Sequence, residues 1–301
     1  MDIDQARTFL AIAAYGSFIE ASRKLHLTQS TVSARIQRLE EELGVHLFVR
    51  NRSGATLTTG GRRFFEYAKR LILTAEQARQ RVGLPSRYRG ALRIGGRIAL
   101  WDGLLPAWMR WMSERTTDVS IRSEIGFEED LMRHLIEGTL DIGLMYTPSH
   151  SPGLIIEHLF DETLMLVSSR KGDTKPQADY IYVEWGPAFD IKHTQDYPYL
   201  EAPQQTVNIG WLGVQLILAN GGTCYLPERM AEPLISIGRL HAVVGAPRYA
   251  HPTYMVYPKE HDNPVIPQAL EGLRSLTGST GFLLKTGYGN DNIHAEEFSG
   301  Y

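Results

Sequence analysis

The sequence predicts an α+β chain of several units: a small helical head with a hairpin, a long single helix, and a two-lobed α/β body. Three observations predict it. Residues 16–44, GSFIEASRKLHLTQSTVSARIQRLEEELG, read as two short helices joined by a tight turn. Residues 58–83 carry apolar side chains at helical spacing and contain no proline. From residue 91 onward short strands and helices alternate, as they do in parallel α/β sheets.

In the head, Asp2 to Tyr15 is expected to form a helix whose Phe9, Leu10, Ile12 and Ala13 build a small core. Ser17 with Glu20 three residues later has the form of a capping box, so a second helix starts at Phe18 and runs to about Lys24 or Leu25. His26 and Leu27 make the turn. Thr28 caps a third helix, in which Val32, Ile36, Leu39 and Leu43 make one apolar stripe ending before Gly44. The opposite face carries Ser30, Gln37 and Arg38, flanked by Gln29, Thr31, Ser33 and Arg35 and interrupted by Ala34. These hydroxyls, amides and guanidinium groups can hydrogen-bond base edges and phosphates.

A polar helix face alone is more often only solvated. Here it is followed by LGVHLFVRNRSGATLT, where Leu47 to Val49 and Thr56 to Thr58 can pair around a turn at Arg52 to Gly54. Capped helix, short turn, second helix and hairpin together make residues 1–58 a winged helix-turn-helix. Arg50 and Arg52 beside the hairpin turn are placed to reach phosphates or a minor groove.

Composition bounds the rest. A chain of 301 residues, 43% hydrophobic and 22% charged, is an ordinary globular protein with room for two or three compact units. The N-terminus MDIDQARTFLAIAAYG has neither the charge order of a signal peptide nor the length of a membrane span, so a cytoplasmic protein without a membrane partner is expected. One cysteine, Cys224, excludes an intramolecular disulfide and a multi-cysteine metal site, and it is expected in the core. The ten histidines form no metal-ligand pattern, and no cofactor motif is present: Gly95 and Gly96 follow a strand but complete no phosphate-binding loop.

Net charge is −3, but unevenly spread. Up to Gly90 there are 15 Lys and Arg against 8 Asp and Glu; beyond it there are 16 against 26. A basic head on an acidic body fits binding to double-stranded DNA, where phosphate neutralisation supplies most of the non-specific affinity. No aromatic RNA platform and no basic amphipathic anchor supports RNA or membrane instead.

The long helix repeats apolar residues at Phe64, Ala68, Leu71, Ile72, Ala75, Ala78 and Val82. It looks too long to pack on so small a head, so its stripe is expected to pair with the same helix of another subunit. LPSRYRG, residues 84–90, reads as the hinge into the body, making residues 59–90 the linker.

In the body, ALRIGG, VSIRSEI and LDIGLMY read as strands, with helices at Gly103 to Ser113 and Glu128 to Glu137 between them. IIEHLF and ETLMLVSS look like two strands leading out of this first lobe. YIYVEW, helices at about Pro187 to Gln195 and Gly210 to Ala219, TCYLP, a helix from about Glu228, HAVV and TYMVY make a second lobe. A helix from Asn263 to Leu276 returns to the first. This places lobe one at about 91–160 and 263–278, lobe two at about 161–262, and leaves 279–301 as a glycine-rich tail expected to be largely disordered.

Through LTQSTVSARIQRLEEELGVHLFVRN and LTTGG in the head, and LRIG, LIEGTLDIGLMY and ILANGGTCYLPERMA in the body, the chain resembles the LysR-type transcriptional regulators. The resemblance implies a periplasmic-binding-protein-like body taking a small effector between its lobes. It also implies a linker-helix dimer, commonly a dimer of dimers, on a dyad-symmetric promoter site, and RNA polymerase as a partner. Three features depart from the family pattern: the short segment Lys171 to Asp179, the runs YIYVEWGPAFDIKH and NIGWLGVQL, and Ala34, where many relatives carry a basic residue.

Ligands of parallel α/β sheets bind beyond the carboxyl ends of the strands. The candidates there are Gly96, Arg97, Trp101, Phe127 and Tyr146 in lobe one and Glu184, Trp185 and Phe189 in lobe two. Arg97 can hold a carboxylate bidentately and the rings can cover an apolar body, favouring a carboxylate-bearing or aromatic effector. Glu184 beside Trp185 keeps an amine open as a second possibility. An enzyme body with an attached DNA-binding head is the alternative of a different class; Ser168 and Lys171 have the S-x-x-K spacing, but that motif opens a helix and here follows a strand.

Overall fold

The computed structural model describes residues 1–51, 54–82, 85–200 and 202–278; Arg52 and the tail 279–301 lie outside them. The head holds α1 (Ile3–Tyr15), α2 (Phe18–Lys24), α3 (Gln29–Leu43) and a hairpin of β1 (Phe48–Asn51) and β2 (Gly54–Leu57). Side chains start each helix. Asp2 caps α1 with a reciprocal box to Gln5, Ser17 accepts from the Glu20 amide, and Thr28 accepts from the Thr31 amide. At Ser17 only half a box forms, because the Glu20 carboxylate turns to Arg23 at 2.7 Å. Gly16 and Gly44 end α1 and α3 in the left-handed conformation.

The long helix α4 (Thr59–Val82) corrects one expectation. Its first half is not too long for the head: Phe64, Ala68 and Ile72 are buried in the head's own core, Phe64 packing edge-on against Phe9 at 4.9 Å. Leu71 and Val82, at 36% and 89% exposed, remain on the outside, and Ala75 is half-buried. Periodicity marks which face of a helix is buried, not what buries it.

Among the described residues the body is one nine-stranded mixed sheet, in the order β4 (Val119–Ile125), β3 (Gly90–Gly96), β5 (Ile142–Met145), β11 (Tyr249–Pro258), β6 (Leu154–Ser168), β9 (Thr223–Pro227), β7 (Tyr180–Val183) and β8 (Gln205–Val207), with β10 (His241–Ala242) also on β6. Lobe one is built on parallel β3 (Gly90–Gly96), β4 (Val119–Ile125) and β5 (Ile142–Met145), with α5 (Leu104–Arg115) and α6 (Glu128–Ile136). Lobe two is built on parallel β7 (Tyr180–Val183), β8 (Gln205–Val207) and β9 (Thr223–Pro227), with α7 (Pro187–Asp196), α8 (Gly210–Asn220) and α9 (Glu228–Ser236). Two long antiparallel strands join them, β6 (Leu154–Ser168) and β11 (Tyr249–Pro258). The two strands expected over residues 154–168 are therefore one. The last helix, α10 (Ile266–Thr277), returns to lobe one, where the buried Trp108 indole of α5 donates to Ala269 O at 2.9 Å. Cys224 is fully buried. Among the described residues no helix is long and apolar enough to cross a membrane.

Candidate DNA interface and lobe seam

Helix α3 presents its polar face outward because Val32, Ile36 and Leu39 are buried in the head. Gln29, Ser30, Gln37 and Arg38 are exposed, Ser33 and Thr31 half-buried. The residues are not equally free. Thr28, Ser30 and Thr31 share hydroxyl hydrogen bonds at 2.8–2.9 Å around the cap, and Gln37 donates to Glu41 at 2.9 Å. Arg35 is committed to α1, donating to Asp4 at 2.9 Å and Thr8 at 3.3 Å. His26 turns the chain between α2 and α3 with φ of 54°. On the hairpin, the Arg50 guanidinium lies 3.9 Å from the Phe18 ring centre, which holds its side chain against the head.

The second site lies where the carboxyl ends of β3 and β5 meet the crossing strands and the end of β7. Gly96 is paired to Leu144, so Arg97 and Tyr146 both leave the carboxyl ends of neighbouring strands. Across the ladder His251 faces Glu162 and Thr253 faces Phe160. The Tyr146 ring lies 4.0 Å from the His251 ring, and Trp185 meets His251 edge-on at 5.6 Å. The Tyr146 hydroxyl donates to Glu162 at 2.9 Å.

Arg229, at the start of α9, crosses the seam. Its Nε donates to Glu162 at 3.0 Å, and its terminal nitrogens donate to Ala99 O at 2.8 Å and to Asp102 O. Burial pushes the Asp102 carboxyl up, and burial next to Glu162 pushes the Tyr146 hydroxyl well above its usual range. Burial drives His251 down to about 4, so its imidazole is neutral near pH 7.

Arg97 stands at the rim. Its guanidinium lies over the Phe127 ring at 4.5 Å, reaches Asn208 O of lobe two at 3.2 Å, and its Nε is 3.5 Å from the Glu128 carboxylate. Among the described residues, the buried polar atoms that make no hydrogen bond include Arg97 Nε, which has only its 3.5 Å ion pair with Glu128, Trp101 Nε1, His251 Nε2 and Thr253 Oγ1.

The remaining candidates lie apart. Glu184 is exposed in the loop just after β7, whereas the next residue, Trp185, is buried. Phe189 belongs to the interior of lobe two, packed against His193, Tyr225 and Tyr249. Sequence reading missed Glu162, Arg229, His251 and Thr253. For the two on β11, His251 and Thr253, the one available signal was polarity at alternate positions of an otherwise largely apolar strand.

Comparison with known proteins decides the family. The description "Bacterial regulatory helix-turn-helix protein, lysR family" matches residues 3–62, and "LysR substrate binding domain" matches residues 85–177. The HTH-type transcriptional regulator HdfR of Salmonella newport is 31% identical over 265 residues, covering 87% of this chain and 94% of its own length. The chain belongs to the LysR family. It is a LysR-type transcriptional regulator, with a helix-turn-helix for DNA and a substrate-binding body.

Solved LysR-type structures share the fold. ArgP from Mycobacterium tuberculosis matches with a TM-score of 0.55 at 22% identity, covering 91% of this chain and 97% of its own. Full-length BenM matches with a TM-score of 0.53 at 22% identity, covering 94% and 98%.

Proposed function

We propose that this LysR-type regulator acts in the cytoplasm as a dimer or dimer of dimers, binds a dyad-symmetric promoter site, and senses a small carboxylate at the lobe seam. The observation that carries the ligand class is the set of unpartnered atoms there. Arg97 Nε and Trp101 Nε1 are donors only, and the Thr253 hydroxyl and neutral His251 donate as readily as they accept. A buried donor left unpaired costs about 1–3 kcal/mol, so an acceptor-rich group entering the seam relieves that cost. Glu162 does not repel it, because Arg229 and Tyr146 already engage that carboxylate. The rings of Tyr146, His251 and Trp185, with Trp185 edge-on to the other two, supply apolar surface suited to an aromatic acid.

In this reading Gln29 and Ser33 of α3 read bases in the major groove while Arg38, Arg50 and Arg52 hold the phosphate backbone beside it. Exposed Leu71 and Val82 continue the subunit contact beyond the head. Ligand binding between the lobes changes their closure, and thereby the spacing of the two heads and the bend of the DNA that RNA polymerase meets. The body senses and does not turn its ligand over.

The test is a thermal-shift and gel-shift panel of small aromatic and aliphatic acids, with amines as comparators, on the native chain and on Arg97→Gln. The account expects acids to raise the melting temperature of the native chain and alter its DNA complex, and Arg97→Gln to lose both effects. A response to amines alone would reverse the ligand class, and conversion of any responding acid would favour an enzyme body.

A further inference from the structure

The basic head does not stand free of the acidic body. Lys24, the last residue of α2 and the one before the turn into α3, lies with its Nζ 2.5 Å from the Glu129 carboxylate at the start of α6. At the far end of α6, Glu137 feels Arg7 of α1 and Glu76 of α4, and burial pushes its carboxyl up. Just beyond, Gly138 turns with φ of +67°, and a Cβ there would stand 3.3 Å from the Leu73 Cα of α4. Two further contacts extend the seam along α4: Lys69 donates to Pro152 O at 3.1 Å, and Arg70 to Glu260 at 3.0 Å.

Helix α6 is therefore held from two sides. Glu128 and Glu129 are consecutive, so their side chains leave the helix about 100° apart. Glu128 turns to the lobe seam, 3.5 Å from Arg97 and accepting from the Tyr146 amide at 3.5 Å. Glu129 turns to the head. Phe127, the residue before them, lies under the Arg97 guanidinium.

We infer that the outer side of α6, with the chain just after it, is a docking surface for the regulator's own basic head, and that α6 carries the state of the seam to the helix-turn-helix. The inference rests on the proposed sensing of a ligand at that seam. Charge complementarity supports the pairing, since residues 1–90 carry 15 cationic against 8 anionic side chains and the rest of the chain 16 against 26. Surface ion pairs of this kind are individually weak, so the dock is separable. When an anion takes the Arg97 guanidinium, Glu128 loses its partner and the N-terminus of α6 shifts, and Glu129 shifts with it. A ligand that moves α6 and a DNA site that takes the head thus both oppose the dock, so each favours the other's binding, which satisfies the reciprocity that coupling requires.

The test uses the full chain with Lys24→Cys and Glu129→Cys, bridged by a short bis-maleimide; native Cys224 is fully buried and does not compete. Cross-linked and unreacted forms of the same variant are compared for binding to an operator fragment. The inference expects an adduct within one chain, seen by gel and peptide mass, and at least about ten-fold weaker operator binding in the cross-linked form. Adducts only between chains, no adduct at all, or equal affinity would overturn it. A second variant, Glu129→Lys, removes the contact from the body side only. It is expected to tighten ligand-free operator binding about three-fold, and the added change Lys24→Glu to reverse that gain; no change with Glu129→Lys counts against the dock. If the native chain binds no specific DNA site, the underlying functional reading fails; if it binds normally and these changes do nothing, only the dock fails.

Discussion

Arg229 and Glu162 form an ion pair almost without water: Nε stands 3.0 Å from the carboxylate, and the two side chains are 3% and 1% exposed. The pair sits between the lobes, and the same arginine is hydrogen-bonded to the Ala99 and Asp102 carbonyls of the first. Removing one partner leaves a buried charge without its counter-ion.

Glu162→Ala is therefore expected to cost about 3–5 kcal/mol in urea unfolding. Replacing both, as Glu162→Leu with Arg229→Met, should cost much less than the two single changes together, because no lone charge remains. Additive costs would show that the pair does not act as a unit.

His251 makes stability depend on pH. Burial lowers its pKa from 6.5 to about 4, with Arg97 adding to the effect and Glu162 opposing it. Between those values the unfolded chain binds the proton and the folded chain does not, so stability falls as pH drops from about 6.5 to about 4. The contribution lost is roughly 3 kcal/mol. His251→Gln should flatten that part of the profile, measured by urea unfolding between pH 7 and pH 5; an unchanged slope would contradict the assignment.

The proposed function divides the α3 face into two kinds of contact. Replacing Gln29 or Ser33 should cost roughly 1–3 kcal/mol at one base position and relax specificity there. Arg38→Gln should weaken all sequences alike and reduce the salt slope by about one unit. Binding titrations across operator variants and salt concentrations distinguish them. Arg35 behaves differently again: its ties to Asp4 and Thr8 predict that Arg35→Ala lowers the stability of the head.

Much of the head was legible because local chemistry writes its boundaries: Asp2, Ser17 and Thr28 cap the helices, and Gly16 and Gly44 end them. The body was legible as alternating strands and helices, with losses at two places. Gln205–Val207 is three residues long, too short to show a period, and becomes a strand only by pairing with Ile181 to Val183. Residues 154–168 read as two strands because Asp161 and Glu162 look like a turn; Glu162 is inside because Arg229, 67 residues away in sequence, meets it there. The seam was hardest for the same reason. The pairing of His251 with Glu162 is a matter of long-range register, which no local pattern encodes.

Helix α4 offers a clean division between core and contact. Ile72→Ala empties space in the head and should cost about 2–5 kcal/mol of its stability. It should leave the oligomeric state unchanged. Leu71→Glu, on the exposed side, should instead weaken subunit association, read by sedimentation at several concentrations. Loss of association from Ile72→Ala with a stable head would contradict the burial of that residue within its own chain.

The most direct measurement is a footprint and gel-shift titration on the DNA immediately upstream of the gene for this chain, repeated across salt concentrations. The account predicts protection of two related half-sites about one or more helical turns apart, weakened steeply by salt. Absence of site-specific protection there, together with a genome-wide binding map without discrete sites, would contradict it.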